Sequence, residues 1–184
     1  MESEHTLNAA ADRARGRAAA ATADEEFRSR LERELAESYR LASVILGDVN
    51  EAEDATHDAV ERAWRARRQL RDPDRFGAWF QRILVNGCRD RLRRRRSGPK
   101  FIALSADGRE RQGSDIAIQA TGQDALGAAL DRLDPDRRIV VVLRFFVDLE
   151  IAEIARRVGA RPGTVKSRLH RALADLREVW EYER

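Results

Sequence analysis

One stretch near the C-terminus, residues 150–171, constrains the fold of this chain more than any other. Apolar residues recur at helical spacing on both sides of Gly159, and glycine accepts the left-handed backbone at which a helix stops. Pro162 then suits the first turn of a second helix, where no N–H is needed. The pattern predicts a helix-turn-helix whose inward residues are Ile151, Ile154, Ala155 and Val158 on the first helix and Val165, Leu169, Ala172 and Leu173 on the second.

The outward face of that second helix is cationic and carries hydroxyl groups. It is expected to present Thr164, Lys166, Ser167, Arg168 and Arg171. In a helix-turn-helix, the second helix is the element that enters the DNA major groove. The stretch therefore predicts a DNA-binding module.

Charge is distributed unevenly along the chain, although the formal net charge is only +3. Residues 82–100 are strongly basic, with Asp90 as their one acidic residue, whereas residues 51–61 contain acidic residues and no Lys or Arg. Separate basic and acidic faces suit a protein that touches both a polyanion and a basic protein surface. The alternative for each patch alone is a solvated helix face.

The lone cysteine and the hydropathy pattern indicate a cytoplasmic location. Cys88 excludes an internal disulfide and falls on an apolar helix stripe. No apolar run approaches the ~20 residues that span a bilayer, and the N-terminus lacks the apolar block of a secretory signal. We expect no membrane insertion by the chain itself.

Three helical patterns make up a predicted first domain, residues 24–96, after a flexible, disordered tail at residues 1–23. Asp24 is expected to cap the first helix and Gly47 to close it. Asn50 and Glu53 have the spacing of a capping box for the second helix. A loop follows at residues 71–74, and the third helix runs from Phe76 into an arginine cluster.

A break in periodicity over residues 97–121 predicts a flexible linker, too long for a connection within one compact domain. A second domain, residues 122–184, contains the helix-turn-helix. Its run Ile139–Leu143 is rich in β-branched residues, which favour strands, but Asp134-Pro135 starts a helix and Phe145 and Phe146 continue its apolar face. Leu126, Ala129, Leu130 and Leu133 form another stripe. We therefore predict an all-α fold of two small helical domains joined by a flexible linker.

The order of these parts resembles that of the extracytoplasmic-function (ECF) sigma factors, two-domain subunits of bacterial RNA polymerase. Four segments carry the resemblance: the acidic helix at residues 52–65, the stretch 75–83 followed by Asn86 and Asp90, the phrase 134–138 with its continuation to Arg144, and the helix 163–171. The resemblance implies that residues 24–96 form sigma domain 2, a three-helix-type bundle, and residues 122–184 form sigma domain 4.

The resemblance also implies an alternative sigma factor that directs core polymerase to specific promoters. The upstream (−35) element would be read by Arg161, Thr164, Lys166, Ser167, Arg168 and Arg171. The downstream (−10) element would be recognised and melted by Arg71, Asp74, Arg75, Asn86, Arg89, Arg93 and Arg94, and the cluster Arg91–Arg96 would lie along phosphates. The polymerase would bind Glu53, Asp54, His57, Asp58 and Glu61.

The partners implied are core RNA polymerase, at its clamp and flap regions, promoter DNA and an anti-sigma factor. We expect no catalytic site, metal or cofactor, because catalysis would belong to the polymerase. The nearest alternative is a helix-turn-helix regulator that is not a polymerase subunit, which would need a sensor fold with strands in its front half. An enzyme is a second alternative, but the sequence has no glycine-rich phosphate loop, and His5, His57 and His170 lack ligand spacing.

Overall fold

The computed structural model of the protein describes residues 2–97 and 120–182, and all regular structure in these ranges is helical. Within these described ranges, seven α-helices follow one another, with two short 3₁₀ turns, Arg67–Gln69 and Pro73–Arg75, between the second and third. Their bounds are α1 Glu2–Leu46, α2 Val49–Ala66, α3 Phe76–Ser97, α4 Ala120–Arg132, α5 Pro135–Phe145, α6 Ile151–Val158 and α7 Pro162–Tyr182. The all-α prediction is confirmed. Most of the predicted linker lies outside the described residues.

Residues 1–36 form one of two compact units. Here the sequence predicted a flexible tail followed by a helix capped at Asp24, but α1 already begins at Glu2 and passes through Asp24. Local chemistry explains the difference, because this segment is rich in alanine, the strongest helix former. Within it, Arg28 Nη1 lies 2.7 Å from Glu25 Oε2, one helical turn earlier.

Residues 37–184 form the second unit, which contains the helices of both predicted domains downstream of residue 36. In its front part, α1 ends at Leu46 and Gly47 takes a φ of 68°, as the sequence predicted. Helix α2 begins two residues earlier than expected. Its cap is Asp48, whose Oδ1 accepts a hydrogen bond of 2.8 Å from the Glu51 amide, so the cap predicted at Asn50 was wrong.

Helices α2 and α3 pack against each other through a small-to-large pairing. The buried face of α2 consists mostly of alanines (Ala52, Ala55, Ala59 and Ala63). The buried residues of α3 include Phe76, Phe80, Leu84, Val85, Cys88 and Leu92. Small side chains on one helix let the large side chains of the other fill the space between the two backbones.

The second core is built from α4, α5 and α7. Leu130, Leu133, Val141 and Ala172 are buried together, and Leu169 and Leu176 pack against them. Asp134 caps α5 through its Oδ1, which accepts a 3.0 Å bond from the Asp136 amide, so the predicted start is confirmed. Phe145 and Phe146 are 63% and 53% exposed, because they follow the buried length of α5, and Leu126 is 47% exposed. The core positions predicted for these three residues were wrong.

Helix α5 explains the run of β-branched residues that resembled a strand. Ile139 to Leu143 are all buried, because α5 packs against α3, α6 and α7. A helix surrounded on several sides can be apolar around most of its circumference, so it loses the periodicity of a surface helix.

Cys88 is buried on α3, and burial raises the pKa of its thiol to about 12. Since the thiolate is the reactive form, we expect the folded chain to resist an aromatic disulfide reagent at about pH 8 and to react fully once unfolded in guanidinium. Absorbance of the released thiol measures both. Stoichiometric reaction of the native chain within minutes would contradict this burial.

Candidate nucleic-acid interface

The helix-turn-helix is formed by α6, a short turn and α7. Gly159 adopts a φ of 66° at the end of α6, and the amide of Ala160 donates a 3.0 Å hydrogen bond to the Ala155 carbonyl. At the start of α7, the amides of Thr164 and Val165 donate to the Arg161 carbonyl at 2.9 and 3.1 Å. The buried residues Ile154, Ala155, Val158 and Val165 fix the two helices against each other. The predicted motif is confirmed.

The outward face of α7 and Arg161, the residue just before it, carry the predicted DNA-contacting side chains. Those that are exposed are Arg161, Thr164, Lys166, Ser167 and Arg171. Ser167 Oγ donates to the Thr164 carbonyl at 3.0 Å, which leaves its oxygen lone pairs as acceptors. Arg168 is only half-exposed, because it pairs with a carboxylate of α5.

Arg168 pairs with Asp136 at the start of α5, where Nη2 lies 2.9 Å from Oδ2. Two arginines of α3 reach the same carboxylate: Arg93 Nη2 lies 2.9 Å from Oδ2, and Arg89 Nε lies 3.0 Å from Oδ1. We call these four residues the Asp136 cluster. It joins side chains assigned from the sequence to two different DNA elements.

Arg89 is the most enclosed arginine of the cluster. Its side chain is 14% exposed, Nη1 donates to Asn86 Oδ1 at 3.2 Å, and Nη2 donates to the Val158 carbonyl at 3.1 Å. Burial lowers the pKa of its guanidinium, and the negative charge of Asp136 opposes that change. Although Arg89 Nε and Asp136 Oδ1 are at ion-pair distance, they are not aligned as a hydrogen bond.

The remaining arginines of the α3 cluster divide between two sides of the helix. Arg91 Nη2 lies 2.5 Å from Asp58 Oδ2, and Arg95 Nη2 lies 2.5 Å from Glu51 Oε2, so both pair with α2. Arg96 Nη1 instead lies 3.4 Å from Asp134 Oδ2 and from the Leu133 carbonyl. The sequence indicated only a phosphate-binding run and gave no signal for these protein partners.

The other residues predicted at the downstream element lie on a turn before α3 and on α3 itself. Arg71, Asp74 and Arg75 are exposed around the Pro73–Arg75 turn. Asp72 organises this turn: its Oδ1 accepts from the Asp74 amide at 3.1 Å, and its Oδ2 lies 3.2 Å from Arg75 Nε. Asn86 is half-buried, held by Arg89, and Arg94 is exposed.

The predicted polymerase-binding residues share an exposed face of α2. Glu53, Asp54, His57, Asp58 and Glu61 are all exposed. Glu61 pairs with Arg65 at 2.8 Å within the helix, and Asp58 pairs with Arg91 across to α3. The described residues contain no cluster of metal-ligating side chains. In the same ranges, no helix is long and apolar enough to span a membrane.

Two family models match the chain. "Sigma-70 region 2" matches residues 31–98 and "Sigma-70, region 4" matches residues 123–176. The region 4 match contains the helix-turn-helix, and the region 2 match contains the acidic face of α2 and the basic helix α3.

Among curated proteins, RNA polymerase sigma factor SigV of Bacillus subtilis is 31% identical over 143 residues, which cover 76% of this chain and 81% of SigV. ECF RNA polymerase sigma factor SigM of Mycobacterium tuberculosis is 35% identical over 148 residues, covering 78% and 71%.

Two solved structures are similar. One is the sigma factor RpoE in complex with the anti-sigma factor NepR from Bartonella quintana (25% identity, TM-score 0.63), with coverage of 87% of this chain and 99% of RpoE. The other is CnrH in complex with the cytosolic domain of CnrY (26% identity, TM-score 0.56), covering 85% and 86%.

Proposed function

Since this chain belongs to the ECF family of RNA polymerase sigma factors, we propose that it binds core polymerase through α2 and reads promoter DNA through α3 and α7. The observation that carries the proposal is the helix-turn-helix, whose second helix exposes cationic and hydroxyl side chains. The surfaces of α2 and α3 add an acidic patch and a basic patch of the kinds that a basic protein and a polyanion would bind.

The upstream element is read by α7 as duplex DNA. Arg161, Thr164, Ser167, Arg168 and Arg171 contact base edges or flanking phosphates, and Lys166 contacts phosphate as a point charge. The exposure of most of these side chains supports the assignment. Arginine suits base readout because its fork bonds guanine in two places, and each such pair gives about 1–3 kcal/mol of discrimination.

For Arg168→Ala in the polymerase-bound state, we expect binding to a promoter with the preferred base at one position to weaken by about 1–3 kcal/mol. Binding to promoters with another base at that position should change little. Binding to a panel of single-base promoter variants measures this pattern. Lys166→Ala is the matched control, because loss of a phosphate contact weakens all sequences alike and reduces the salt dependence. Equal weakening across the panel for Arg168→Ala would assign Arg168 to phosphate as well.

The downstream element is bound by the turn before α3 and by α3. Arg71, Asp74, Arg75 and Asn86 line the place where a base is flipped out of the stack, and extrusion costs a few kcal/mol that a shaped pocket must recover. Arg89, Arg93 and Arg94 contact the backbone beside it. The exposure of the turn residues and the concentration of arginine on α3 support this role.

Core polymerase binds the exposed acidic face of α2. Reversing two charges with Asp54→Arg and Asp58→Arg places like charges against a basic partner, so we expect co-purification with core polymerase to be lost. Circular dichroism should show unchanged helix content, since both side chains are exposed.

The Asp58 ion pair requires a control for this experiment, because Asp58→Arg also breaks the contact with Arg91. Arg91→Ala breaks the same ion pair and leaves the acidic face intact. We expect this variant to keep its polymerase. If both variants lose polymerase equally, the α2–α3 pairing, rather than the acidic face, determines binding.

An anti-sigma factor is proposed as a regulatory partner. The support is the structural similarity to a sigma factor solved with an anti-sigma factor, at 87% coverage of this chain. Such a partner would act by covering polymerase-binding surfaces. The flap region of polymerase is a second proposed contact, for which the exposed Phe145 and Phe146 beside the helix-turn-helix offer apolar area.

The chain acts without catalysis of its own, and RNA synthesis is carried out by the polymerase. Purified chain plus core polymerase should start transcription at a specific promoter, and neither component should do so alone. Run-off transcripts from promoters of its own genome measure this. Binding to promoters without any polymerase-dependent initiation would instead indicate a separate helix-turn-helix regulator.

A further inference from the structure

We propose that Asp136 is an intrachain latch that occupies DNA-binding arginines of both domains until DNA replaces it. Its carboxylate pairs with Arg89 and Arg93 of α3 and with Arg168 of α7. These three arginines belong to the two surfaces that the proposed function assigns to promoter DNA, and the inference rests on that function. The proposed function assigns no DNA contact to Asp136 itself.

The charge balance of the cluster favours a competing anion. One carboxylate faces three guanidinium groups, so the cluster retains an excess of two positive charges. The side chain of Asp136 is 14% exposed, and a charge so enclosed must be paired to be tolerated. A DNA backbone offers many phosphates, each of which accepts hydrogen bonds from arginine in the same way as a carboxylate does.

The geometry of the cluster also favours release. Arg89 Nε and Asp136 Oδ1 lack hydrogen-bond alignment, although both are enclosed. Arg93 remains 57% exposed while it holds Asp136, so phosphate can approach it from solvent. While Arg168 Nη2 lies 2.9 Å from Asp136 Oδ2, this nitrogen is engaged and is not free to donate to a base edge. Full use of the Arg168 guanidinium on the upstream element therefore requires this ion pair to open.

Further contacts along α3 reinforce the closed arrangement. Arg157 Nη1 of α6 donates to Gln81 Oε1 at 2.5 Å, and Arg89 donates to the Val158 carbonyl at the end of α6. Arg96 reaches the Leu133 carbonyl. These contacts join the basic helix of the first domain to the turn and helices that present α7. Because these contacts accompany the Asp136 cluster, the latch holds the surfaces of the two domains together and does not restrain a single side chain only.

The test compares Asp136→Asn with Asp175→Asn in the full chain. Asp175 is the matched control because it also pairs with an arginine, Arg137 Nη1 at 2.5 Å, but within the second domain. Each variant removes one negative charge, so any general gain in attraction to DNA is common to both. Fluorescent labels on Arg68→Cys and Ala174→Cys, two exposed positions on different domains, report the separation of the domains by energy transfer. The buried Cys88 should stay unlabelled.

For Asp136→Asn without polymerase, we expect lower transfer efficiency and about fivefold or greater tightening on a duplex carrying the upstream element, because a larger fraction of the chain is competent to bind. Asp175→Asn should change neither by as much as twofold. If folding of Asp136→Asn is impaired in a thermal melt, Gln81→Ala provides the same comparison at a second contact. It should move both readouts in the same direction.

Unchanged transfer efficiency in both Asp136→Asn and Gln81→Ala would refute the latch. An equal rise in DNA affinity in the Asp175→Asn control would also refute it. So would separation of the domains without any gain in DNA affinity. Failure of the proposed function is distinguishable. In that case the chain with core polymerase would start no transcription, whereas the energy-transfer comparison, which requires no polymerase, would still give its result.

Discussion

Charge pairing by the arginines of α3 links this helix to both of its charged neighbours in the second unit, α2 and α5. Arg91 and Arg95 are one turn apart and both pair with carboxylates of α2, whereas Arg89 and Arg93 are one turn apart and both pair with Asp136 of α5. Because residues four apart share a helix face, one basic run divides into two faces that serve two neighbours. Helix α3 is thus paired with α2 inside the first domain and with α5 of the second domain.

Helix α5 is the structural counterpart of α3 in the second domain. Its apolar run is buried among α3, α6 and α7, and its first turn carries the Asp136 carboxylate to the edge of that packing. Arg138, almost fully buried on the same helix, pairs with Asp131 and reaches the Val44 carbonyl at 3.4 Å. A buried arginine needs such partners, since leaving one unpaired inside a protein is strongly destabilising.

The arrangement places two demands on the same guanidinium groups. Arginine binds carboxylate and phosphate with the same planar donor geometry, so residues suited to DNA are equally suited to an intrachain carboxylate. In a chain with 36% charged residues and strongly segregated charge, such internal pairing lowers the self-repulsion of the basic helix. The cost is that DNA must displace a protein partner. Exposed residues of α7 such as Lys166 and Arg171 remain on the open face of the helix.

The sequence by itself determined the local features of this protein. Helical periodicity, the stops at Gly47 and Gly159 and the cap at Asp134 were all predictable, because each depends on residues within a few positions of one another. The cap predicted at Asp24 was wrong because the alanine-rich helix α1 continues through it. The cap predicted at Asn50 was wrong because Asp48 caps α2 instead. Only the tertiary structure decided that Asp136 pairs with Arg89, Arg93 and Arg168, and that the phenylalanines ending α5 face outward. Those partners are far apart in the chain, and an ion pair between distant residues leaves no periodic or local pattern to read.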